Sequence, residues 1–217
     1  MTEQITFITK YLDDNNYACQ NDLDTESIEI VYDLYRNKNW DPNKCYSGPV
    51  ARFMGTYFQI EEDYENMFKY HQMAINHGDT VAMQRLGQYY GEQGDDENML
   101  NYYLMAIEKG NSDVMFNLGL YYSEQGDHEN MLKYYLMAIE KGDDDAMNNL
   151  GLYYSEQGDH ENMFKYYLMA IEKGDNDAMI NLGNYYAQQH DFEQMLKYFW
   201  MAIEKGNTYA MTKLAKY

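Results

Sequence analysis

The residues of this chain with types suited to chemistry are five histidines, two cysteines and a large excess of carboxylates. His71, His77, His128, His160 and His190, with Cys19 and Cys45, are the ligand types that hold zinc. Zinc needs about four donors converging on one point. No CxxC or HExxH occurs, and His128 and His160 lie one repeat apart, each following an aspartate at a turn. That spacing keeps them apart, so no metal and no cofactor is expected. Asp127, Glu129, Asp159 and Glu161 are the types that move protons in acid–base catalysis. Their recurrence at fixed intervals is better explained by helix starts, where carboxylates meet unpaired amides and the positive end of the helix dipole. GxxxxGKS and GxGxxG are absent, and the glycines of EQGDDEN and EQGDHEN sit among acids that repel phosphate. No Ser-His-Asp arrangement can be defended from the spacing. The chain is read as noncatalytic, an enzyme site built by its non-repetitive N-terminal segment being the minor reading.

The elements that position these residues recur every 32 residues. Leu118-Gly119 returns as Leu150-Gly151 and Leu182-Gly183, after Leu86-Gly87 and a drifted Met54-Gly55. A second glycine keeps step at Gly78, Gly110, Gly142, Gly174 and Gly206. Self-similarity at this length marks a solenoid, in which each unit buries its apolar face against its neighbours. Five units are expected, over residues 50–81, 82–113, 114–145, 146–177 and 178–209, with a partial sixth helix over 210–217.

Each unit reads as two helices. Ala146, Leu150 and Tyr153, beside Met147, Gly151 and Tyr154, give a wide apolar stripe at helical spacing. Gly158-Asp159 breaks the pattern, with Asp159 as N-cap of a second helix through Met163, Phe164, Tyr166, Tyr167, Met169, Ala170 and Ile171. Lys173 falls in its last turn and Gly174 at the position where a left-handed conformation is easy for glycine. The unit is an αα-hairpin with short turns on both sides. Gly151 and Ala170 recur where a larger side chain would hold the helices apart. The tyrosines and methionines keep core phases and are read as packing, not as a cofactor box.

Residues 1–49 break the period and are expected to cap the array. Ile5, Ile8 and Leu12 suggest one amphipathic helix; Ile28, Val31, Leu34 and Tyr35 suggest another, with Thr25 before it. Asn37–Pro49 reads as a loop anchored by Trp40. The start MTEQITFITKYLDD has no basic segment and no long apolar core, so no secretory signal is expected. No apolar run approaches the roughly 20 residues of a membrane helix. Two cysteines in 217 residues suit reduced thiols in the cytoplasm. The formal net charge is −20, from 16 basic and 36 acidic residues. That field opposes direct nucleic-acid or anionic-membrane binding. It suits a basic partner, and equally a solvated face that keeps the chain soluble.

Leu150-Gly151, Tyr154, Tyr166-Tyr167, Ala170 and Gly174 resemble the Sel1-like repeat of the tetratricopeptide superfamily, whose pattern is L-G-x-x-Y, then A-x-x-W-Y-x-K-A-A and a glycine. The resemblance covers residues 50–217. Met163, Met169 and Ile171 depart from it, and the unit is shorter at the turn around Gly158-Asp159. The Asn- and Tyr-rich style, near YYLMAIEKG, is also similar to repeat proteins of large DNA viruses of amoebae, for which the host cytoplasm would be the location. The resemblance implies an all-α, right-handed superhelix of αα-hairpins whose first helices line a concave face. It places Gln84, Phe116, Asn148 and Ile180, three residues before each glycine, in that groove, with Thr212 three before Ala215 at the glycine's phase, and Thr56, Gln88, Leu120, Leu152 and Asn184 just after the glycine. Asp113, Asp145 and Asp177 form one flanking line, and Glu92, Glu124 and Glu156 another. Such a strip suits a protein or peptide with hydrophobic anchors and basic residues. Asn148 is available for a partner's backbone. The competing reading is that the apolar residues fill the joint between neighbouring first helices. The expected function is a noncatalytic scaffold or adaptor; the alternative is a structural protein that self-assembles through its terminal half-repeat.

Overall fold

The computed structural model describes residues 25–38, 40, 41 and 44–215. Among them the regular structure is wholly helical: α1 (Thr25–Asn37), α2 (Gly48–Ile60), α3 (Tyr64–Asn76), α4 (Thr80–Glu92), α5 (Asp96–Glu108), α6 (Asp113–Glu124), α7 (His128–Glu140), α8 (Asp144–Glu156), α9 (His160–Lys173), α10 (Asn176–Gln188), α11 (Phe192–Glu204) and α12 (Thr208–Leu214). They form two compact units, which divide between Asn111 and Ser112. The first holds α1 and the hairpins α2–α3 and α4–α5. The second holds the hairpins α6–α7, α8–α9 and α10–α11, followed by α12. The helical hairpins foreseen from the period are therefore present. The helix expected around Ile5, Ile8 and Leu12 lies outside the described residues, as do Cys19 and Lys216.

Capping chemistry sets where the helices begin. Asp63, Asp79, Asp95, Asp127, Asp143, Asp159, Asp175 and Asp191 each accept a hydrogen bond from the amide three residues on. In four second helices the third residue is asparagine, and its side-chain amide returns a bond to the same aspartate, at 2.7 Å for Asn162 to Asp159. The helix ends use positive φ. Gly174 at φ 99° closes α9 and lets the Asp175 amide donate back to the Ala170 carbonyl. Within each hairpin the turn takes Gly94, Gly126 or Gly158 at positive φ, but Glu62 (59°) and His190 (57°) hold the same place in the first and last hairpins.

Packing inside a hairpin is organised by one glycine and one ring. A methyl group built on Gly151 would run into Cδ1 and Cε1 of Tyr167 on the paired helix. Gly87 meets Tyr103 in the same way, Gly119 meets Tyr135, and Gly183 meets Phe199. Met163, Tyr166 and Ala170 are buried alongside, whereas Tyr154 and Met169 are partly buried against that cluster. Tyr154 stacks on Tyr166 at 5.6 Å with the rings nearly parallel, repeating Tyr122 on Tyr134 and Tyr186 on Tyr198. The tyrosine abundance is thus structural, each ring supplying large apolar area at the helix pair.

In the first unit α1 lies beside α2. Its start, at Glu26, Ser27 and Ile30, faces Val50, and Tyr35 near its end meets Tyr57 edge-on at 5.7 Å, so the two helices run in the same direction. Val31 and Leu34 are buried, and Trp40 stacks on Tyr57 at 4.9 Å, which ties down the loop before α2.

Candidate functional site

First helices of neighbouring hairpins touch in the second unit, α6 with α8 and α8 with α10. This brings the residues of equal phase into rows that cross the helices. Just after the repeat glycine stand Leu120, Leu152 and Asn184; the leucines are 37% and 43% exposed and Asn184 is half-buried. Asp113, Asp145 and Asp177 are exposed in the first turns, and Glu124 and Glu156 at the helix ends. Along α6, Asp113 precedes Leu120 by about 10 Å and Glu124 follows it by about 6 Å, at the rise of an α-helix. The face is an apolar row between two acidic rows.

The residues three before the glycine are placed differently. Asn148 accepts from the Asn181 amide at 3.0 Å, Phe116 tilts against Tyr135, and Ile180 is 5% exposed in a cluster with Met179, Met195 and Phe199. That phase lies at the joint between successive first helices. Ile180 is a core residue and not a surface anchor, and Asn148 already has a partner. In the first unit Gln84 likewise accepts from Asn111, Gln88 is exposed and bonded to Glu92, and Thr56 is buried. Thr212 on α12 is exposed.

Electrostatics knit the aspartate row together. Burial raises the carboxyls of the caps Asp143 and Asp175 above the usual range, and neighbouring acids push further: Asp145, Asp144 and Asp113 on the first, Asp177, Asp144 and Asp145 on the second. Acids of successive repeats therefore feel one another along one edge. The second-helix caps behave oppositely, Asn130 and Asn162 holding Asp127 and Asp159 below the usual range by hydrogen bonds. Those two candidate acid–base residues are thus engaged in capping. His128 rests on Tyr153 and His160 on Tyr185.

Two clusters in the first unit carry no obvious signal in the period. His71 occupies the phase of Tyr103, Tyr135 and Tyr167 and lies against Gly55, with both ring nitrogens buried and unpartnered. Burial holds its pKa down to about 3, with the positive charges of Arg85 and Arg52 adding to the effect. Phase comparison alone would have exposed this substitution. Cys45, exposed, lies 3.7 Å from Nε2 of His77, a pairing that no spacing rule finds. Comparing phases also reveals an exposed row on the second helices, Leu136, Leu168 and Trp200.

Residues 112–140 and 144–172 match the tetratricopeptide repeat family. These segments contain the hairpins α6–α7 and α8–α9. Similar solved structures include MamA (18% identical, TM-score 0.54, covering 78% of this chain and 94% of that one). BtubC (BKLC) from P. vanneervenii is 16% identical with a TM-score of 0.59, over 88% of this chain and 91% of its own. Pseudomonas aeruginosa pilF is 14% identical with a TM-score of 0.61, over 100% and 97%. These likenesses are of fold. No curated protein matches the sequence.

Proposed function

We propose that this chain of tetratricopeptide-type repeats is a protein-interaction scaffold that docks a basic segment with apolar anchors across α6, α8 and α10. The reading rests on one observation, the exposed pair Leu120 and Leu152 in a row flanked by Asp113, Asp145 and Asp177 on one side and Glu124 and Glu156 on the other. Fully burying a leucine stabilises by about 1.5–3 kcal/mol, so the exposed share of each leaves about 1 kcal/mol for a partner. Lysines or arginines beside the anchors would meet the carboxylate rows, each rim pair adding about 0.2–1 kcal/mol and weakening with salt. The rigid hairpins hold these groups in place, so binding orders mainly the partner. The Leu150-Gly151 and Gly174 signature supports a Sel1-like subtype within the superfamily, and the scaffold reading carries no catalytic role.

The test uses labelled peptides with two leucines flanked by lysines, and Leu→Ser and Lys→Glu peptide controls. Leu120→Ser and Leu152→Ser should each weaken binding about fivefold, while Leu136→Ser and Leu168→Ser on the second helices, equally exposed at 41%, should not. Binding that ignores the first pair, or that tolerates the Lys→Glu control, removes the reading. A second reading, self-association through α12, draws on Tyr209 and Met211, which are 53% and 51% exposed, Met211 at the phase where Met147 and Met179 are buried. Sedimentation of Met211→Ser against the parent, over a range of concentrations, tests it: a parent that stays monomeric throughout ends that reading.

A further inference from the structure

A cleft of about 300 Å3 opens in the first unit between the start of α1 and the segment that enters α2, and it has no counterpart in the repeat pattern. Glu26, Ser27, Lys44, Cys45, Tyr46 and Val50 are among its lining residues. The Cys45 thiol is exposed and lies 3.7 Å from Nε2 of His77, which arrives from the far end of α3. Tyr46 is 5% exposed and its hydroxyl, buried, has no partner. Solvent does not reach that hydroxyl, so a molecule in the cleft meets the Tyr46 ring rather than its oxygen. Lys44 sits over the Tyr46 ring at 5.3 Å and gives the cleft a cation, while Glu26 gives it an anion.

We infer that this cleft is a thiol-modification site, in which Cys45 exchanges with a small disulfide bearing a zwitterionic amino-acid group. The carboxylate of such a molecule pairs with Lys44 and its ammonium with Glu26, which sets the disulfide beside Cys45. His77 Nε2 takes the thiol proton, and the Cys45 sulfur attacks one sulfur of the reagent. A new S–S bond forms to Cys45 as the old one breaks. The departing sulfur recovers the proton from His77 and leaves as a free thiol. Cys45 ends at the disulfide level and one half of the reagent is reduced, so no further oxidant is needed. The inference is independent of the docking face, because every residue in it lies in the unit that ends at Asn111.

The experiment treats the full chain with cystine and, separately, with the uncharged hydroxyethyl disulfide, and follows the mixed disulfide at Cys45 by peptide mass mapping. Cystine should modify Cys45 about tenfold faster than it modifies an unstructured cysteine peptide, and His77→Gln should bring both reagents down to the peptide's rate. Lys44→Ala and Glu26→Gln should slow cystine and leave hydroxyethyl disulfide unchanged. Far-UV circular dichroism of each variant confirms that the helices persist. A Cys45 that reacts at the peptide's rate overturns the inference, as does a cystine rate indifferent to Lys44 and Glu26.

Discussion

Replacing His71 with phenylalanine should stabilise the first unit and flatten its response to acid. The imidazole is fully buried, and neither nitrogen has a hydrogen-bond partner. Its pKa falls from 6.5 in the unfolded chain to about 3 in the fold. The unfolded chain therefore binds a proton that the fold refuses. The neutral ring's share of stability is complete above the unfolded value and is lost as pH falls from 6.5 towards 3. The full loss approaches about 5 kcal/mol, at about 1.36 kcal/mol per pH unit, and reaches about 2 kcal/mol near pH 5. Phenylalanine has no such proton. It fills the same phase at Phe199 with no exposure, so the ring itself is compatible with the site. At neutral pH the variant also sheds unsatisfied polar atoms, worth about 1–3 kcal/mol for each buried group. The assay is urea unfolding followed by Trp40 fluorescence in a Trp200→Phe background, because Trp40 stacks on Tyr57 within the first unit. Between about pH 7.5 and pH 5 the parent should lose about 2 kcal/mol more than His71→Phe. Parallel losses in parent and variant would refute the buried, unpaired imidazole.

Other consequences can be measured on the same chain. Glu62→Gly and His190→Gly should each raise stability by about 0.5 kcal/mol, since a side chain in left-handed backbone costs about 1–2 kcal/mol and glycine's extra unfolded freedom returns part of that; thermal melts that fall instead would contradict the turn geometry. Gly151→Ala should lower stability by about 1 kcal/mol, as overpacking against Tyr167 outweighs alanine's helix preference, and a melt shifted upward would mean that the ring can move. Asp145→Asn should stabilise the second unit and reduce its gain from added salt, because Asp145 bears on both Asp143 and Asp175; an unchanged salt response would show that the aspartates do not repel one another.

The hairpins were legible because the sequence repeats the residues that build them. Gly151 and Tyr167 each recur at fixed phase, and so does the cap Asp159, so comparing units isolates what the fold needs. The exposed row on the first helices was half legible. Leu120 and Leu152 are exposed on first helices, but Ile180 fills the core, because its phase faces the next first helix rather than solvent. Periodicity cannot separate those cases: both phases sit on the same helix, four residues and so about 40° apart, and only the neighbour's side chain decides. The surroundings of His71 and Cys45 were not legible for another reason, although the phase of His71 marks it as a substitution for tyrosine. Their surroundings are assembled from Arg52, Arg85 and His77, which belong to no repeated pattern.

The glycine-on-ring contact has an implication for how such a gene can change length. A copy of residues 146–177 inserted after Asp177 would offer Ala146 where Ala178 now follows, and Gly151 with Tyr167 where Gly183 meets Phe199. The copy meets residues 178–209 as residues 146–177 do now, and its other face meets a unit that differs from its present neighbour at few packing positions. Recombination in whole periods can thus lengthen or shorten the array while keeping every glycine opposite its ring, whereas a residue inserted into a helix between the glycine and its ring shifts one against the other.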